Sequence, residues 1–144
     1  MNRLVSALLI AMVLTCGGCS DKVTVTGRLV YPDGSAATDF TGSTVELTPV
    51  KGVYGSRGVV ASDGWFRVSS DRPGEGTPPG LYKVVIHPGS LTQEWLLAKK
   101  YQSKATTPVE VEVVSGMSSL TVTIEKEPRK PSEKPPEEPR LGTD

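Results

Sequence analysis

The chain is 144 residues long and carries 16 basic and 16 acidic side chains, a formal net charge of zero. That balance leaves no electrostatic footprint for nucleic acid, and one histidine with two cysteines falls short of the four N/S ligands of a structural zinc site. With 15 glycines and 12 prolines against 6% aromatic residues, the punctuation suits many short strands joined by turns in one domain.

The first element is an address. Arg3 supplies a positive start, residues 4–14 form an uncharged apolar run, small residues follow, and polarity begins at Ser20-Asp21-Lys22. This is the three-part layout of an export signal, and the run is too short to span a bilayer by itself. Cys16-Gly17-Gly18-Cys19 has the spacing of a redox pair, but such a pair needs a preceding strand and a helix N-terminus to lower the thiol pKa. Here it follows an apolar leader and precedes a strand. The small residues before Cys19 resemble a bacterial lipobox, in which the chain is cut before a cysteine that then carries lipid. Cys19 is the expected lipidation site, with Cys16 the alternative, because Cys16 occupies the position where a lipobox prefers leucine. An ordinary signal peptide with incidental cysteines, giving a secreted unlipidated protein, is the competing reading. The expected organisation is a signal at 1–18, a lipidated tether at 19–22, a β domain at 23–125 and a tail at 126–144.

From residue 23 the period is two. Val23, Val25, Leu29 and Tyr31 share one side of the first strand, and Thr24, Thr26 and Arg28 the other. Pro32-Asp33-Gly34 is a turn. Val45 and Leu47 mark a second strand, and 56–62 and 65–70 flank Asp63-Gly64, a strong hairpin signal that puts Phe66 and Val68 on one face. The loop 72–80, rich in proline and glycine, releases a strand with Tyr82, Val84 and Ile86 on one face and Lys83, Val85 and His87 on the other. Residues 108–114 and 120–125 complete seven strands, expected as an all-β, antiparallel Greek-key sandwich.

Residues 90–100 break the alternation. Ser90 with Gln93 suggests a capping box, so a short helix or irregular crossover is expected, anchored by Trp95 and Tyr101. From Lys126 the chain holds five prolines and almost no large apolar side chain, the composition of a disordered, extended spacer.

Asp63-Gly64-x-Phe66-x-Val68 followed by Pro79-Gly80-x-Tyr82-x-Val84-x-Ile86 resembles the carboxypeptidase regulatory-like domain, a transthyretin-like β-sandwich. The opening VTVTGRLVYPDGSAA resembles its first strand and turn, so the likeness covers roughly residues 23–125. The loop before Pro79 and the region around Tyr101 and Thr107 are similar to small lipoproteins of planctomycete-type bacteria. These motifs are structural, and the resemblance implies a fold rather than an activity.

Enzymatic constellations fit poorly. Hydrolases and iron dioxygenases on related sandwiches use more than one histidine, and no Gly-x-Ser-x-Gly elbow accompanies His87. Asp33, Asp63 and Asp71 lack the dense spacing of a calcium loop. No catalytic residue, metal or cofactor is therefore expected. The expected role is an interaction or structural module of the cell envelope, held to a membrane through its N-terminal lipid. Carbohydrate or surface-polymer binding through exposed Trp65, Trp95 and Tyr54 is the alternative.

Overall fold

The computed structural model of the protein describes residues 22–70, 76–117 and 119–139. The expected signal, both cysteines and most of the tether lie outside the described residues, as do Asp71 and the last five residues of the tail.

Seven strands form at the seven expected places, those expected at 23–31, 56–62 and 108–114 being shorter: β1 Val25–Val30, β2 Thr44–Pro49, β3 Ser56–Val59, β4 Trp65–Ser70, β5 Gly80–His87, β6 Glu110–Val113 and β7 Ser119–Thr123. Two Asp-Gly turns help set the register. In each, the glycine N–H closes the turn, Gly34 onto Tyr31 and Gly64 onto Ala61, with the glycine at φ 84° and 82°. The aspartate stays at negative φ and accepts from the second residue on, Asp33 from the Ser35 N–H and Asp63 from the Trp65 N–H. A type I turn followed by a left-handed glycine is the three-residue hairpin solution.

The strands join in the order β6-β5-β2-β3-β4-β1-β7. All neighbours are antiparallel except β1 and β7, which run parallel from Thr26↔Ser119 to Val30↔Thr123. The expected all-antiparallel arrangement is corrected here. Alternation has the same period in both kinds of ladder, so it carries no strand direction. Direction comes from the path: β6 runs against β5, the chain reverses, and β7 leaves along the direction β5 shares with β1.

The expected separation into two sheets is also not what the pairing shows. Strand β4 pairs with β1 over Trp65–Val68 and with β3 over Ser69 and Ser70, so the wall is continuous. Its two outer strands, β6 and β7, are consecutive in sequence, linked by residues 114–118. Such a link spans at most roughly 20 Å. The sheet therefore curls into a nearly closed barrel, with its seam between β6 and β7.

Inward side chains fill it, among them Val25, Leu29, Leu47, Phe66, Val84 and Val122, all nearly or fully buried. Gly27 faces inward opposite Phe66, and a Cβ there would run into the aromatic ring. Phe40, on a 3-10 turn at Thr38–Phe40, and Leu97 and Tyr101 complete the core beyond the strands.

The break in alternation is helix α1, Leu91–Leu96. Ser90 Oγ accepts from the Gln93 N–H, as the capping signal predicts, yet the Gln93 side chain does not return to close a box. It is buried instead and makes four bonds: its amide donates to the Asp39 and Thr41 carbonyls, and its oxygen accepts from Ser43 Oγ and the Gly89 N–H. That fully satisfied amide bolts α1 to the segment before β2.

The tail departs from a free spacer in its described part. Leu97 bridges Lys126, Glu127 donates its N–H to Leu96, and the Arg129 guanidinium lies 4.9 Å from the Trp95 ring centroid and donates to the Trp95 carbonyl. Further on, Glu138 accepts from the Thr92 N–H. The tail's low apolar content does not prevent this, because these contacts are polar and need no core.

Candidate functional site

Strand directions place features at the barrel's two ends. Strand β1 starts, β2 ends, β5 starts and β6 ends at the same rim, tied by Val23↔Thr77, Pro49↔Tyr82 and Gly80↔Val113. A groove of about 550 Å³ opens there, lined by residues 49–54 and 78–82.

Each wall has a local cause. Val50 donates its N–H to the Leu81 carbonyl, after which Gly52, at φ 117°, turns the chain outward and leaves Val53 and Tyr54 88% and 75% exposed. Gly55 brings the backbone back so close to the Leu47 carbonyl that a Cβ there would crowd it. The opposite wall is stiffened by Pro78-Pro79 and by the Tyr82 hydroxyl, which donates to the Pro78 carbonyl at 2.8 Å. Burial raises the Tyr82 pKa, so that hydroxyl remains a donor. Under this wall Thr77 Oγ1 donates to Ser56 Oγ, both groups fully buried, and Lys104 Nζ donates to the Pro49 carbonyl. The lining is valine, leucine, proline, glycine and tyrosine together with Lys51, a mostly apolar surface.

The three aromatic residues proposed for binding are not brought together. Tyr54 belongs to the groove. Trp65 opens β4 near the opposite rim, 39% exposed on the outer face, with Arg28 from β1 5.8 Å from its ring centroid. That is the cross-strand packing its position allows. Trp95 is on α1 beneath Arg129. Sequence reasoning missed Val53 and Leu81, because whether an apolar side chain in a loop or at a strand start stays uncovered depends on what packs over it.

His87 projects outward at the end of β5. Its Nε2 lies 2.8 Å from Glu46 Oε2, and Arg57 Nε lies 3.2 Å from the same oxygen. Burial works to raise the Glu46 pKa, but the His87 hydrogen bond and the Arg57 charge outweigh it and hold the carboxyl below its ordinary value. The triad crosses three adjacent strands, β3, β2 and β5, and braces them.

At the α1 rim the Tyr31 hydroxyl donates to Asp39 Oδ2 at 2.7 Å, and Lys126 Nζ reaches the same oxygen at 2.6 Å while lying over the Tyr31 ring. Burial first, and then the Asp39 carboxylate, push the Tyr31 pKa well above its ordinary value. Hydrogen bonds from Lys126 and Tyr31 hold Asp39 below the usual carboxylate range.

Among the described residues no cluster of three or more His, Cys, Asp or Glu side chains could hold a metal, and no helix is long and apolar enough to cross a membrane. No family model matches this chain, and no curated protein or solved structure matches it either.

Proposed function

We propose that this chain is a lipid-anchored protein of the cell envelope whose β domain serves interaction or support rather than catalysis. The observation that carries the reading is the N-terminal pattern, an apolar run at 4–14 ending in small residues before Cys19. Only residues 20–22 separate that cysteine from Val23, whose N–H and carbonyl are both paired with Thr77. Two or three acyl chains hold a protein stably where one is marginal.

Intact-mass measurement of the membrane-extracted protein tests it. A chain starting at Cys19 with added acyl mass is the expected result. A start at Cys16 would move the site, and an unmodified soluble chain would favour the secreted reading and overturn the anchor.

A glycan- or surface-polymer-binding role draws support from Tyr54, whose exposed ring stands in a groove. Trp65 and Trp95 add little to it, since cationic side chains already lie over both rings. Isothermal titration of the intact protein with a glycan panel separates the two: heat that disappears in Tyr54→Ala favours polymer binding, and no heat leaves the structural role.

On fold, we read the barrel as a distorted Greek-key sandwich of the transthyretin-like, carboxypeptidase regulatory-like kind. Support comes from Asp63-Gly64 turning into β4 with Phe66 and Val68 inward, and from Pro79-Gly80 opening β5 with Tyr82, Val84 and Ile86 inward. Amide hydrogen exchange tests it: weak protection at the Ser56–Ser70 and Arg57–Ser69 pairs against strong protection over Trp65–Val68 would support this reading, because the β3–β4 ladder would then be a loose corner between two sheets, and uniform protection would overturn it.

A further inference from the structure

Eight large apolar side chains are exposed among the described residues, and they are not scattered evenly. Val50, Val53, Tyr54, Leu81 and Val114 all belong to the rim where β2 and β6 end and β5 begins. The other three, Val59, Trp65 and Leu91, are spread along the outer wall and the opposite rim, at the end of β3, the start of β4 and the start of α1. A cluster of exposed apolar groups at one place marks a surface with a partner.

The exit of the chain identifies the partner. Val23 is pinned to Thr77 by hydrogen bonds of 2.9 and 2.7 Å, and Thr77 immediately precedes Pro78, a wall of the groove. The N-terminal segment outside the described residues therefore leaves the domain beside the apolar rim. From Cys19 to Val23 the backbone reaches at most roughly 14 Å, whereas each headgroup layer is itself about 5–8 Å thick. A lipid on Cys19 would hold this rim at the headgroups with little slack.

The residue types fit that location. Tyrosine is favoured at the membrane–water boundary, where its ring meets acyl chains and its hydroxyl meets water. Lys51, between Val50 and Gly52, can lay its stem along the apolar surface and put its charge among anionic headgroups.

We propose that this rim is a bilayer-seating surface, with Val53 and Tyr54 entering the headgroup boundary and Leu81 and Val114 resting against it. The proposal rests on lipidation at Cys19. It goes beyond anchoring, because it gives the domain a defined orientation: the groove faces the membrane, while α1 and the described tail face away. The groove is then closed by lipid, which leaves the outer wall and the α1 rim as surfaces available to envelope partners.

The test uses the full chain, processed and reconstituted in phosphatidylethanolamine–phosphatidylglycerol vesicles. Once Cys19 is acylated and the leader removed, an introduced cysteine is the one free thiol. An environment-sensitive fluorophore is placed by Val53→Cys or, separately, by Leu91→Cys at the opposite rim, and quenched with lipids spin-labelled near the headgroup. Quenching several-fold stronger at position 53 than at 91 is expected, with Leu81→Cys repeating the result if Val53→Cys folds poorly. Equal, solvent-like signals on a chain that carries acyl mass would overturn the seating and leave the anchor intact. An unacylated chain would overturn both, and the intact mass tells these failures apart. Shielding at position 53 that grows with protein density rather than with spin-labelled lipid would assign the rim to a second copy and also overturn the proposal.

Discussion

The two rims of this barrel are finished in opposite ways. At the rim beside the N-terminus, the described loops end in the exposed apolar side chains Val53, Tyr54, Leu81 and Val114. At the other, Gln93 makes four buried bonds, Asp39 receives both Tyr31 and Lys126, and Arg129 lies over Trp95. Apolar exposure costs free energy in water and is retained where something other than water covers it. Polar closure is the solution for a rim that stays in water. The contrast teaches that the domain has a direction, which its strands alone do not.

The largest expected effect comes from unbolting the polar rim. Gln93→Ala leaves two carbonyls, the Gly89 N–H and Ser43 Oγ without partners, and should cost about 3 kcal/mol, since each buried polar group left unpaired costs roughly 1–3 kcal/mol and partial rehydration offsets some of it. Urea unfolding should show a lower midpoint at unchanged slope. An unmoved midpoint would mean that the bolt carries no stability.

A smaller effect is expected from acid. The Asp39 pKa is lower folded than unfolded, so the unfolded chain binds the proton first as pH falls. Stability from this cluster is therefore fully present above the unfolded value, about pH 4, and is lost as pH drops through the folded one. The side chain is 44% exposed, and screening keeps its contribution below about 1 kcal/mol. Asp33 and Glu46 are shifted the same way and add with the same sign. Thermal melts from about pH 5 to pH 2 should show Asp39→Asn losing less stability than the parent chain. Parallel curves would remove Asp39 from the account.

The smallest effect sharpens the contrast. Val53→Ser, at a residue 88% exposed, should change stability by no more than about 0.5 kcal/mol in membrane-free solution. A loss comparable to that of Gln93→Ala would show the apolar loop to be a structural part of the barrel rather than a docking surface.

Much of this was legible from local pattern. Alternation located six strands and their inward faces, including Phe66 and Val68, and left Trp65 outside, because side-chain direction in a strand depends only on parity, while the Asp63-Gly64 turn located β3 without giving its face. Ser90 announced the start of α1. Gln93 was visible only as a capping partner, since three of its four side-chain partners lie 50 to 54 residues earlier in the chain. Tyr54 stood out as an aromatic among glycines, while Val53 and Leu81 did not, because exposure of a valine depends on what fails to cover it.

The sequence by itself therefore determined roughly where the strands lie, which side of most of them faces inward, and the N-terminal pattern from which the anchor is proposed. These follow from period, turn chemistry and composition, all local properties. Tertiary structure alone decided that β7 lies parallel to β1, that β4 joins both halves into one curled wall, and that five apolar side chains from separate loops meet at a single rim. Those facts depend on which strands lie side by side, and that is set by the closure of the whole sheet around its core rather than by any residue's near neighbours.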